Sequence, residues 1–69
     1  MTTYQVVSQR RGLCPDWEGM PGVPIREAQV LAEAMATRLA DKIREGNANV
    51  GIYDNSTHAI VIVHGRSLW

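Results

Sequence analysis

Between Pro24 and Gly46 the apolar residues recur with the spacing of one helix face, and this stretch constrains the fold more than any other. At about 100° per residue, Ile25, Ala28, Leu31, Ala32, Met35, Ala36, Leu39 and Ile43 fall on one stripe. Arg26, Glu33, Thr37, Asp41 and Arg44 lie opposite, and only Val30 is out of character. Pro24 suits the first helical position and Glu27 the first turn, although no Ser, Thr, Asp or Asn precedes Pro24 as a cap. Lys42 and Arg44 fit the last turn and Gly46 the stop, so a helix is predicted from Pro24 to about Glu45. Ala28, Ala32 and Ala36 line one edge of the stripe, where small side chains let the backbone approach its neighbour closely.

A stripe of this kind must bury itself against something, and the rest of the chain supplies short strands. Residues Tyr4 to Ser8, Val50 to Asp54 and His58 to His64 read as strands, the last two joined by the turn formers Asp54-Asn55-Ser56-Thr57. The third strand is apolar on both faces, with Ala59, Val61 and Val63 on one and Ile60 and Ile62 on the other. Such a strand is normally central. The expected fold is therefore α+β: one amphipathic helix on a three-stranded antiparallel sheet, β-α-β-β, in the order 1-3-2. A right-handed parallel crossover between the first two strands is the alternative. Gly12 to Val23, rich in Gly and Pro, reads as a loop. Its Leu13, Cys14, Trp17 and Met20 are much apolar surface for a connector, so the loop either folds over the sheet or meets a partner.

Sixty-nine residues allow one domain, 1–69, near the lower limit for a self-sufficient core. The core material is seven Val, five Ile, four Leu and three Met, with no Phe. At roughly 1.5–3 kcal/mol per fully buried large side chain, that barely exceeds the ordering entropy of the backbone. A homodimer, sealed through the open sheet face or an edge strand, is expected. Seven basic residues balance seven acidic ones, which argues against coating nucleic acid or an anionic membrane. One cysteine closes no intrachain disulfide, the N-terminus lacks the pattern of a signal peptide, and no apolar run approaches a membrane span. The expected location is cytoplasmic.

Few residues suggest chemistry. His58 and His64, six apart on one strand, share a side but are roughly 20 Å apart, too far for a common metal within one chain. Cys14 has no base or orienting group at a telling spacing. Asp16 and Glu18, flanking Trp17, read as solvated loop carboxylates. No phosphate-cradling, zinc-binding or nucleophile motif is present, so no cofactor and no metal are expected. Trp17 reads as a lid over the open sheet face or as an interface anchor. Trp17, Met20, Leu68 and Trp69 are the candidate partner contacts. Arg10, Arg11 and Arg66 are candidates for nucleic acid, although the 1-3-2 order places Arg66 away from the other two.

The run Ala28 to Leu39, with its Ala-Gln-Val-Leu-Ala-Glu-Ala segment and the strands that follow, resembles the short orphan proteins of actinobacteria and their phages. The strand–helix–strand–strand order is also similar to half of a peptidoglycan-binding sporulation-related repeat, a module that works outside the cytoplasmic membrane. The first resemblance implies a small accessory protein of a phage or mobile element acting on a host partner. The expected function is a non-catalytic protein–protein interaction module. A small nucleic-acid-binding dimer and an enzyme with a dimer-interface site using His58, His64 or Cys14 are the alternatives.

Overall fold

The computed structural model describes residues 2–67. They form β1 (Tyr4–Arg10), β2 (Asp16–Val23), α1 (Ile25–Arg38), α2 (Ala40–Arg44), β3 (Ala48–Asp54) and β4 (Ala59–His64). The architecture is α+β, one antiparallel sheet with helix on one face. The sheet has four strands, in the order β2-β1-β3-β4, and not three in the order 1-3-2.

The extra strand comes from the segment read as a loop. Asp16 to Glu18 pair with Ser8 to Val6, and Val23 pairs with Tyr4, with an irregular stretch between the two sets. Gly19, the cis Met20–Pro21 bond and Gly22 occupy that stretch. Glycine and proline weaken a central strand but are tolerated at a sheet edge, where one side of the backbone needs no partner. That is where β2 lies. Asp16 and Glu18 are accordingly strand residues, and Glu18 accepts a 3.0 Å ion pair from Arg38 of α1.

The middle of the sheet is also different. Strand β3 is central, flanked by β1 over seven residue pairs and by β4 on its other side. The strand apolar on both faces, β4, is an edge. Its open-face residues Ile60 and Ile62 lie against Tyr53 and Gly51. Val61 and Val63 remain largely exposed on the strand whose helix-side cover is missing. Apolar character on both faces therefore reflects two different surroundings, not a central position.

The helix follows its stripe. Ala28, Ala32, Met35 and Ala36 are buried against Val6, Val50 and Ile52, with Leu31, Leu39 and Ile43 packed around them. Ile25 stays 40 % exposed at the helix start. Pro24 precedes α1 with no side-chain cap, and its carbonyl accepts the Ala28 amide at 3.0 Å. The predicted single helix is interrupted at Leu39 (φ −105°), and a last turn resumes as α2, so that Leu39 and Ile43 both rest on the core. Gly46 (φ +79°) ends it: the Gly46 amide donates to the Ile43 carbonyl and the Asn47 amide to the Lys42 carbonyl, closing the last turn in the left-handed manner that favours glycine.

Met35 is the largest fully buried side chain, 2 % exposed at the centre of this core. Met35→Ala should lower stability by about 2–4 kcal/mol, read by urea unfolding. Thr37→Ala, on the exposed face, should stay within about 0.5 kcal/mol. Equal effects from the two would place the core elsewhere.

Candidate binding face

Alternation along the strands divides the sheet. Val6, Val50 and Ile52 face the helix, so Gln5, Val7, Gln9, Asn49, Gly51 and Tyr53 face the other way. Register extends this open face outward: Trp17 lies opposite Val7, Ile62 opposite Gly51 and Ile60 opposite Tyr53. No strand residue on this face carries a formal charge.

Trp17 and Tyr53 meet across β1, ring centroids 5.5 Å apart and nearly perpendicular (87°), the edge-to-face geometry that aromatic quadrupoles favour. Val7, on the strand between them, is only 1 % exposed, while Trp17 itself remains 40 % exposed. Trp17 thus covers the face and still offers surface. Tyr53 extends the group: its hydroxyl and His58 Nδ1 share a hydrogen bond of 2.9 Å, and the rings are 6.2 Å apart. His58 sits in the β3–β4 turn with φ +60°. Asp54 Oδ1 accepts the Ser56 and Thr57 amides, and the Asp54 carbonyl accepts the His58 amide, which fixes the turn beside the aromatic pair. In the sequence Trp17 stands out as a loop aromatic, whereas Tyr53 and Val7 do not. The available signal was alternation, since both residues neighbour core positions and so face away from the core.

Met20, 69 % exposed, and Leu13, 52 % exposed, add apolar surface in and before β2. Leu68 and Trp69 lie outside the described residues. Cys14 is exposed between β1 and β2. His64 is not on the side of His58: it lines a groove beside α1 with Arg26 and Glu33, whereas His58 stands beside Tyr53. A shift of register between Val50 and Gly51 changes the alternation that would have put both histidines on one side. Among the described residues no three His, Cys, Asp or Glu side chains come together, and no helix is long and apolar enough to cross a membrane.

The strand order changes the position of the arginines. Strands β1 and β4 both run antiparallel to β3, so they run parallel to each other and end at the same end of the sheet. Arg10 ends β1, Arg11 follows it and Arg66 follows β4, so all three lie toward one end of the sheet, on strands separated by β3, whereas the 1-3-2 order sets Arg66 at the opposite end. The Arg11 amide donates to the Asn47 carbonyl and its guanidinium to the Gly46 carbonyl. On the other side, the fully buried Asn49 donates its amide Nδ2 to the Arg66 carbonyl. Gly65 (φ +88°) makes this crossing possible, because a Cβ there would lie 2.6 Å from the Ala48 carbonyl oxygen. Among the described residues none of the three arginines has an ion-pair partner.

The site thus consists of an uncharged aromatic and aliphatic face, with three arginines at one end. Compared with protein-family models, with curated proteins and with solved structures, the chain matches none.

Proposed function

We propose that the chain is a non-catalytic protein-binding module that receives its partner on the open face of the sheet, around Trp17. The observation that carries this reading is the perpendicular Trp17–Tyr53 pair, half-exposed on a face without charged strand residues. Interface centres have this composition: they are depleted in charge and enriched in Trp and Tyr, whose area is large and whose side-chain entropy is small. The rings here are held by each other, by Val7 and by His58, so little ordering is left for the binding step. Met20 supplies a second apolar contact on the β2 side. Leu68 and Trp69 belong to the same reading as further partner contacts. In this reading the module works in the cytoplasm, as a small accessory protein of a phage or mobile element acting on a host protein.

A second reading has one specific observation in its favour: Arg10, Arg11 and Arg66 come from strands that finish at the same end of the sheet. Stacking rings and arginines without ion-pair partners are the parts of a single-stranded nucleic-acid site, but register sets Tyr53 five residues along β3 from the arginine end of the sheet. The balance of charge over the whole chain opposes it.

One pair of measurements separates the readings. Affinity capture with the full chain, followed by titration of the captured protein, should show Trp17→Ala weakening binding by about tenfold or more, as for an interface anchor. Melting should shift by only a few degrees. Unchanged binding contradicts the proposal, and loss of the fold assigns Trp17 to the core alone. On immobilised single-stranded DNA or RNA the chain should not be retained at physiological salt. Retention that falls with salt at a logarithmic slope of about −2, as three phosphate contacts require, supports the arginine reading instead.

A further inference from the structure

The two edges of the sheet are unequally protected. Strand β2 carries Asp16 and Glu18, a proline and an irregular pairing, all features that discourage further strand addition. Strand β4 reads Ala-Ile-Val-Ile-Val-His, with no formally charged residue and no proline, and among the described residues nothing pairs with its outer side. Beside it, on the helix side, Val30 is 66 % exposed, Val61 62 % and Val63 41 %. A groove of about 480 Å³ runs there between α1 and β4, lined by Arg26, Val30, Glu33, Ile52, Val63 and His64.

We propose that a second copy of this chain completes the sheet, its β4 running antiparallel to the first about a two-fold axis normal to the sheet at Val61. Three observations select a second copy. The first is register. Directly opposed residues must share a face, so an axis at Val61 sets Val61 against its own copy on the helix side. It sets Ile60 against Ile62 of the second copy on the open side. Every pair at the centre of the seam is then apolar.

The second is charge. The same axis runs the two α1 helices antiparallel on one side of the sheet. Arg26 and Glu33 flank Val30 on the groove side, and neither has an ion-pair partner among the described residues. Antiparallel helices bring each Arg26 toward the Glu33 of the other copy. With α1 over β1 and β3, the helix axes stand about four strand spacings, ~19 Å, apart. An extended Arg and an extended Glu, reaching out from helix backbones of about 2.3 Å radius, span that gap.

The third is the size of the core. Of the buried apolar residues described, Ala28, Ala32, Ala36 and Ala48 contribute little area, which leaves Val6, Val7, Met35, Val50 and Ile52. A domain with so small a core gains from oligomerisation. The resulting sheet of eight strands carries both helices on one side and both Trp17–Tyr53 faces on the other. The seam uses neither Trp17 nor Tyr53, so this inference is independent of the function proposed for the open face.

The test is a cross-link that only self-contact of residue 61 permits. In a Cys14→Ser background, Val61→Cys should form a disulfide-linked dimer under mild oxidation, because directly opposed strand residues stand about 4.5–5.5 Å apart, within disulfide range. Ser56→Cys, in the exposed β3–β4 turn, should remain monomeric in the same background. By sedimentation equilibrium the unmodified chain should reach twice the chain mass. Arg26→Glu and Glu33→Arg should each weaken the dimer roughly tenfold, by losing two symmetric pairs, and the double swap should return to within about threefold. A monomer at every concentration overturns the proposal, as does a dimer in which Val61→Cys cross-links no faster than Ser56→Cys. A monomer whose Val61→Lys variant loses a foreign protein also overturns it, and assigns the edge to that protein. None of these outcomes changes the Trp17→Ala result.

Discussion

One α-helix is too narrow to cover a four-stranded sheet, and the rest of the structure follows from that mismatch. A helix with its side chains is about 10 Å across, whereas four strands about 4.8 Å apart exceed that width. The alanine edge of α1 lets it settle closely on β1 and β3, where Met35 closes the core over Val6, Val50 and Ile52. Its Arg38 reaches β2 through the ion pair to Glu18. Nothing of α1 is left to shield β4, so Val61 and Val63 stay exposed on a strand made of residues that normally seek burial.

The two faces of the sheet consequently differ in kind. The helix side is covered over β1 and β3, reached by Arg38 at β2, and open over β4. The far side has no helix and solves its burial locally: Trp17 reaches across β1 to Tyr53, and Val7 disappears between them. The result is a small aromatic cluster that is held in place yet still presents surface. The ends of the sheet differ too, because the parallel course of β1 and β4 delivers Arg10, Arg11 and Arg66 to one of them.

Much of the helix was legible in the sequence and much of the sheet was not. The stripe from Ala28 to Ile43 and the stop at Gly46 depend on local spacing and local backbone geometry, which are written in consecutive residues. The break at Leu39 is marked by no proline or glycine; it serves the packing of Leu39 and Ile43, which is a tertiary matter. Strand β2 was hidden because Gly19, Pro21 and Gly22 are breakers wherever a strand must pair on both sides, and only its edge position excuses them. Hydrophobicity does not mark the central strand here, because the most apolar strand, β4, is an edge. Asn49 and Gly51 make β3 look peripheral, yet Asn49 is buried and donates to the Arg66 carbonyl, a contact 17 residues away that no local pattern reveals. Of the binding face, Trp17 was visible as an aromatic in a polar stretch. The meeting with Tyr53 depends on strand order and was not. The shared sheet end of Arg10, Arg11 and Arg66 depends on strand order in the same way.

The central claim is that β4 is an unfinished edge completed by another copy of the chain. Residue-resolved amide hydrogen exchange, followed as protein concentration is raised, tests it most directly. The account predicts that those β4 amides directed away from β3 slow as the chain associates, while the amides on the outer side of β2 exchange as fast as before. Outer β4 amides that exchange at one fast rate across the whole concentration range would contradict it.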